Sequence, residues 1–279
     1  MLEIKFDLTD FESVELINLA DIHIGHPLCQ EHIFKEIVDY INEEPDDPKM
    51  ARICLLNGDL TESATKTNRN GNVFEQTMTP AVQVATIVKY LQPLAETRKK
   101  YPQGKILSYC AGNHDGDRYK ETGISASETI AVQLGLQERY STDGCYSFIS
   151  LGRKGRGKKE IITTTVYNTH GTGGGSTIGG KANRIARIGQ GIVANVICMS
   201  HVHQPMTFKE DIFIPTNQNS LSQRTITYVI NGAFLNYGDY AQRNGYKPST
   251  IAIPKIYIKQ GRDYTNYSDV KYTYTEVLL

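Results

Sequence analysis

Lys105 to Asp115 reads KILSYCAGNHD, and the order of its parts decides the fold. Ile106, Leu107, Tyr109 and Cys110 make a short apolar run suited to a buried strand, and it stops at Ala111-Gly112. Three chemically capable side chains follow at once: Asn113, His114 and Asp115. The same order recurs along the chain. Val14 to Leu19 runs into Asp21-Ile22-His23, and Ala51 to Leu56 into Asn57-Gly58-Asp59. Glu160 to Asn168 runs into His170, and Asn195 to Ser200 into His201-Val202-His203. Between these runs, Ile33, Phe34, Ile37, Val38 and Ile41 predict a helix within 30–42. Val84, Ile87, Val88, Leu91 and Leu94 predict a second, and Ser125-x-x-Glu128 a capped third that Gly135 closes. From Cys145 onward strands dominate, with one helix expected over 181–193. Strands alternating with helices imply an α/β fold, in which ligands collect where loops leave the carboxyl ends of the strands.

Each polar group sits at such an end, and five of the seven histidines fall within the groups. Their chemistry suits a pair of cations. In extended backbone, residues i and i+2 point the same way, so Asp21 and His23 can hold one ion. His201 and His203 can do the same, or a tight turn can aim them at two ions. Asp59 can bridge two cations through its two oxygens, and Asn113 adds an oxygen without charge. Imidazole, carboxylate and amide donors without thiolate suit Mn²⁺, Fe²⁺, Zn²⁺ or Ni²⁺ rather than Ca²⁺ or Mg²⁺. Two such ions stabilise both the attacking and leaving oxygens at phosphorus, so hydrolysis of a phosphoester follows.

The blocks D-x-H, G-D, G-N-H-D, H and x-H-x-H, in this order over Asp21 to His203, resemble the calcineurin-like metallophosphoesterase superfamily. The resemblance implies two packed mixed β-sheets flanked by helices, a four-layer α/β/β/α arrangement. It implies one domain over 1–279, with the motifs in 14–214 and a strand-rich part, 215–279, completing the second sheet. It also implies roles: Asp21, His23 and His203 on one metal, Asp59 bridging, and Asn113, His170 and His201 on the other. Two divalent ions are the expected cofactor, with Mn²⁺ favoured. His114 would stay uncoordinated and assist the leaving oxygen, oriented by Glu62 or Asp115. Ser200 stands where the family usually has glycine, and the stretch after Asp59 lacks the arginine of the protein-phosphatase subgroup. The two-histidine final motif and the missing arginine resemble the phosphodiesterase and nuclease branches. A phosphodiester in a nucleotide or nucleic acid is therefore the expected substrate, with a phosphomonoester the alternative and a non-catalytic metal-binding scaffold a third. Arg118, His26 and Lys181 are candidate substrate contacts.

Composition closes off other classes. The 279 residues carry 30 Lys+Arg and 30 Asp+Glu, which excludes polyanion binding by bulk charge. A 39% hydrophobic content excludes a disordered chain. There is no run of 18 apolar residues to span a membrane, and acids at Glu3, Asp7, Asp10 and Glu12 are unlike a secretory signal. Five scattered cysteines with no CxxC pair read as free thiols, and the expected location is the cytoplasm. Two loops stay open in meaning. Gly171 to Gly180 reads as a lid or a connector, and Gly152 to Lys159 as a backbone-binding or merely solvated hairpin tip.

Overall fold

The computed structural model describes residues 1–66, 73–154, 159–173, 177–217, 219–243, 245, 247–248, 250–263 and 270–278. The centre of the basic hairpin tip (155–158) and part of the glycine loop (174–176) lie outside the described residues. Strands β1 (Leu2–Leu8), β6 (Cys145–Lys154), β7 (Lys159–Thr169), β8 (Val196–Met199), β10 (Leu221–Ile230) and β9 (Met206–Pro215) form one sheet, in that spatial order. The second sheet runs β12 (Val270–Leu278), β11 (Lys255–Asp263), β2 (Ser13–Leu19), β3 (Met50–Asn57), β4 (Ile106–Cys110) and β5 (Tyr140–Ser141). Both are mixed: β2, β3 and β4 are parallel neighbours, as are β7, β8 and β10, while β6–β7, β9–β10, β2–β11 and β11–β12 pair antiparallel.

The apolar runs become central parallel strands because both of their faces are covered. Alternation along β3 shows how. Ile53 and Leu55 face the other sheet, meeting Ile149, Leu151, Val166 and Val196. Cys54 and Leu56 face outward onto Phe34 and Ile41 of α1 (Glu31–Asn42), Leu91 of α2 (Pro80–Ala95) and Ile130 of α4 (Ala126–Gln133). On the far side, Ile185 of α5 (Ile178–Gly189) packs on Ile197, Met199 and Tyr228. The layers are therefore helix, sheet, sheet, helix, as expected. Replacing Ile53 with Ala in the intersheet layer would cost about 2–5 kcal/mol.

Ser125 caps α4 by accepting from Glu128 N, as its spacing predicts. Helix α3 (Asn113–Thr122), which begins at the motif itself, was not legible in the sequence, and neither were β1 and β9. The strands after residue 214 serve both sheets rather than one: β10 lies beside β8, while β11 and β12 extend the second sheet beside β2. No helix among the described residues is long and apolar enough to cross a membrane.

A buried carboxylate ties four of these elements together. Glu15 of β2 is fully buried; it accepts from Arg52 Nε of β3 (2.5 Å), Tyr40 Oη of α1 (2.8 Å) and Tyr257 Oη of β11 (2.8 Å). Burial works against its charge, but the bonds from Arg52, Tyr257 and Tyr40 outweigh it and hold the carboxyl below its ordinary range. A lowered carboxyl value contributes stability above the unfolded value, and that contribution is lost as pH falls through the folded one. Glu15→Gln should cost about 3 kcal/mol at neutral pH. Its urea-unfolding free energy should converge on the wild-type value as pH falls through and below the ordinary carboxylate range, and parallel curves would show that Glu15 carries no such linkage.

Candidate metal centre

Strands β2, β3 and β4 of one sheet and β7 and β8 of the other deliver their carboxyl ends to one place. Asp21, Asp59 and Asn113 arrive from the first set, and His170, His201 and His203 from the second. Six of the seven candidate ligands fall into two groups whose donor atoms lie within 4.8 Å of one another: Asp21, His23 and His203, then Asp59, His170 and His201. His114 joins His23 and Asp59 in a third group. Asn113 Oδ1 lies 3.0 Å from His170 Nε2 and 2.7 Å from His201 Nδ1, which attaches it to the second group.

The backbone reaches this arrangement by a different route from the one expected. Asp21 and His23 are not extended: both have φ 52°, in the left-handed region, as do Asp59 (49°), His201 (71°) and His203 (52°). The cause is that the chain turns as it leaves each strand. Ile22 N and His23 N both donate to the single carbonyl of Asp59 (2.9 and 3.0 Å), which a regular ladder does not allow. Ile22 and Ile24 still bury in the helix-facing core, so Asp21 and His23 are left on the site side. Left-handed backbone costs a non-glycine residue roughly 1–2 kcal/mol. Such outliers collect where the surroundings over-determine them. Gly112 is required for a separate reason: a Cβ there would collide with Asp59 Oδ1.

Several partners fix the imidazoles. His170 Nδ1 meets Asn57 O (2.8 Å) and His114 Nδ1 meets Glu62 O (2.8 Å). A carbonyl only accepts, so both protons sit on Nδ1 and both rings present Nε2. Asp59 Oδ1 accepts from His114 N (3.1 Å), and its Oδ2 faces His170 Nε2 (3.1 Å). Asp21 Oδ2 accepts from His201 N (3.0 Å), while its Oδ1 lies 3.3 Å from His203 Nε2 in a geometry that makes no hydrogen bond. Two expected orienting contacts are absent. The Glu62 carboxylate reaches His23 Nδ1 (3.0 Å) and stays 3.9 Å from His114 Nδ1. Asp115 instead accepts from Gly112 N (3.3 Å) and Ser127 N (2.9 Å), tying the start of α3 to α4.

Asn57, directly before Gly58-Asp59, carries no motif signature in the sequence, yet it braces the site. Its side chain donates to Ser200 Oγ (2.9 Å) and Thr169 O (2.9 Å), so the serine in place of glycine closes a hydrogen bond between the sheets. Arg118 Nη1 donates to Ser63 Oγ (3.4 Å), one turn along α3 from His114. Lys181 Nζ donates to Val202 O (3.1 Å), between the two histidines of the last motif. His26 Nδ1 accepts from Leu28 N (3.0 Å) and lies near enough to Glu62 to help hold that carboxyl down.

Charge follows from this crowding. Burial opposes ionisation of Asp59, but His170 and His114 hold its carboxyl well below the usual range. Burial likewise opposes charge on His170, yet Asp59 and Asp21 push it up to about 9. For His201, burial and then the His170 cation act together and bring it down to about 4. His114 is raised: burial opposes its charge, and Asp59 and Glu62 outweigh it.

Do these residues fit two divalent ions? Asp21 Oδ1 and His23 Nε2 are buried without a hydrogen-bond partner and belong to one group of three donors. Buried polar atoms are rarely left so without reason. In the second group, Asn113 Oδ1 sits 3.1 Å from Asp59 Oδ2, two oxygens with no hydrogen between them. Turning the amide would relieve that contact, and a cation relieves it with the oxygen inward. The nitrogen and oxygen set, free of thiolate, suits borderline divalent metals. The residues fit.

No family model and no curated protein matches the sequence. Among solved structures, the chain is similar to a conserved uncharacterized protein of Streptococcus pneumoniae described as a predicted phosphoesterase. That match has 11% identity and a TM-score of 0.37, covering 95% of this chain and 98% of that one. It is also similar to Vps29 of Chaetomium thermophilum, with 10% identity and a TM-score of 0.34, covering 95% and 97%. Likeness at this level carries no argument about chemistry. The chemistry of the site is read instead from the paired mixed sheets and from the side chains gathered at their common edge.

Asp59→Asn isolates the carboxylate charge, because asparagine keeps the volume and tolerates the left-handed backbone. The variant should fold and should bind fewer than two Mn²⁺ per chain by calorimetry; two ions at wild-type affinity would exclude a bridging role. In the wild type, Mn²⁺ binding near pH 7 should release protons, because a ligating His170 must lose a proton held up to about 9. Calorimetry in buffers of different ionisation enthalpy reads that release, and apparent affinity should weaken as pH falls.

Proposed function

We propose that this chain is a dinuclear-metal hydrolase that cleaves a phosphodiester in a nucleotide or nucleic acid. The observation that supports it is the convergence of seven nitrogen and oxygen donors from both sheets, with His114 close to His23 and Asp59. Asp21, His23, His203 and Asp59 would hold one divalent ion, Mn²⁺ being favoured, and Asp59, Asn113, His170 and His201 the other. Such a pair supplies an activated water and neutralises charge developing at phosphorus.

The remaining steps belong to the chain. His114, its Nδ1 proton committed to the Glu62 carbonyl, has Nε2 left for substrate. Against burial, Asp59 and Glu62 raise its value in the absence of metal, and as an imidazolium it would give a proton to the departing ester oxygen. Arg118, hydrogen-bonded to Ser63, would meet a phosphoryl oxygen, and Lys181, bonded to the carbonyl of Val202, would lend positive charge beside the last motif. A diester is favoured over a monoester because the loop after Asp59 turns through Leu60-Thr61-Glu62 without an arginine to neutralise a dianion. Five free cysteines, four of them buried, support a reducing compartment, and we place the protein in the cytoplasm.

With Mn²⁺, bis-p-nitrophenyl phosphate should be hydrolysed faster than p-nitrophenyl phosphate, and EDTA should abolish the activity. A preference for the monoester would favour the phosphatase alternative, and cleavage of single- or double-stranded DNA would separate polymer from nucleotide substrates. His114→Asn should keep both metals and lose roughly 10²–10⁴-fold in turnover. Full turnover on an unactivated diester would remove His114 from the chemistry.

A further inference from the structure

Glu62 occupies the place from which a carboxylate would be expected to steer His114, and the geometry points elsewhere. We infer that the Glu62 side chain is a positioning residue for the metal ligand His23, and that His114 takes its orientation from the Glu62 backbone carbonyl. The inference rests on the dinuclear reading above and assigns one residue two separate tasks within it.

The side-chain task follows from three facts. Glu62 Oε2 lies 3.0 Å from His23 Nδ1, and both side chains are almost wholly buried. At that distance the carboxylate oxygen accepts and the imidazole N–H donates. The proton must then lie on His23 Nδ1, which turns the lone pair of Nε2 away from Glu62. That Nε2 is the buried nitrogen with no partner, in the same donor group as Asp21 and His203. A carboxylate behind a ligating histidine fixes its tautomer and ring plane and raises its basicity, an effect worth about 10–100-fold in metal affinity.

The backbone task is separate. Glu62 O takes the His114 Nδ1 proton at 2.8 Å, closer than either carboxylate oxygen comes to that ring. The segment carrying that carbonyl is zipped to the first motif: Ile24 N donates to Leu60 O (3.0 Å), Glu62 N donates to Ile24 O (3.0 Å), and Ser63 N donates to Gln83 Oε1 (2.8 Å). Removing the side chain leaves these bonds in place. Chain register therefore sets the catalytic histidine, and side-chain charge sets the metal ligand.

The test is Mn²⁺ calorimetry on the full chain, wild type against Glu62→Ala and Glu62→Gln, with kcat measured over a metal titration. In Glu62→Ala one of the two sites should weaken about 10–100-fold, and excess Mn²⁺ should restore kcat to within about tenfold of wild type. Glu62→Gln should lose less affinity, because its amide oxygen still accepts from His23 Nδ1; it carries the test if the alanine variant fails to fold by circular dichroism. Unchanged affinity at both sites in the folded variants would overturn the inference. So would a kcat that excess metal does not restore, since the carboxylate would then act through His114. A wild-type chain that binds no Mn²⁺ would overturn the dinuclear reading itself, a result distinct from wild-type binding that Glu62 does not affect.

Discussion

Asp59 is the group on which the two sheets agree. Its carboxylate is buried, lies at the end of β3, accepts from the first turn of α3 through His114 N, and meets His170 from the opposite sheet. An ionised carboxylate in that position is unfavourable unless positive charge or donors surround it. The chain supplies them from three separate strand ends. Gly112 is there because no side chain can share that volume, and Asn57 holds His170 by its backbone while its side chain crosses to Ser200. Much of the local structure at this edge makes a buried anion tolerable, and a centre of that kind is ready for cations.

The left-handed backbone at Asp21, His23, Asp59, His201 and His203 belongs to the same constraint. Five such residues represent strain of order 5–10 kcal/mol, a large part of what holds a domain folded. It persists because the hydrogen bonds around it cross between motifs: Asp21 N to Gly58 O, His201 N to Asp21 Oδ2, Phe234 N to Asp21 O. The fold alone thus shapes the candidate ligand positions, which would limit the reorganisation that binding an ion demands.

What the sequence disclosed was the placement of chemistry, and what it concealed was the backbone. The apolar runs before Asp21, Asp59, Asn113 and His201 specify buried parallel strands, and the polar groups after them specify the edge where ligands gather; both readings need only burial and periodicity. Asp21 and His23 do share a side, but through a turn rather than through extended geometry, since spacing alone cannot distinguish the two routes. Helix α3 escaped notice because its apolar pattern is absent: among its residues only His114 and Asp115 are buried, and both are polar. The partner of Glu62 was hidden for a related reason. Whether a carboxylate three residues past Asp59 meets His23 or His114 depends on how the loop is zipped to the first motif, a tertiary fact with no periodic signature.

Beneath the ligands, the intersheet core becomes polar. Ser108 Oγ donates to Asn168 Oδ1 (2.8 Å), Asn168 Nδ2 to Asn57 Oδ1 (3.2 Å), and Asn57 Nδ2 to Ser200 Oγ (2.9 Å), all among fully buried residues. Apolar residues of the same size would hold the sheets together at least as well, since hydrogen bonds between neutral groups contribute only about 1 kcal/mol each. What they would not do is fix the register of one sheet against the other, because apolar contacts slide and hydrogen bonds do not. A displacement of one sheet by a fraction of an ångström would carry His170 and His201 away from Asp59 and Asn113. The amide chain is therefore best understood as the floor of the site: it ties two separately twisted sheets into one frame at the edge where the candidate ligands from both must meet.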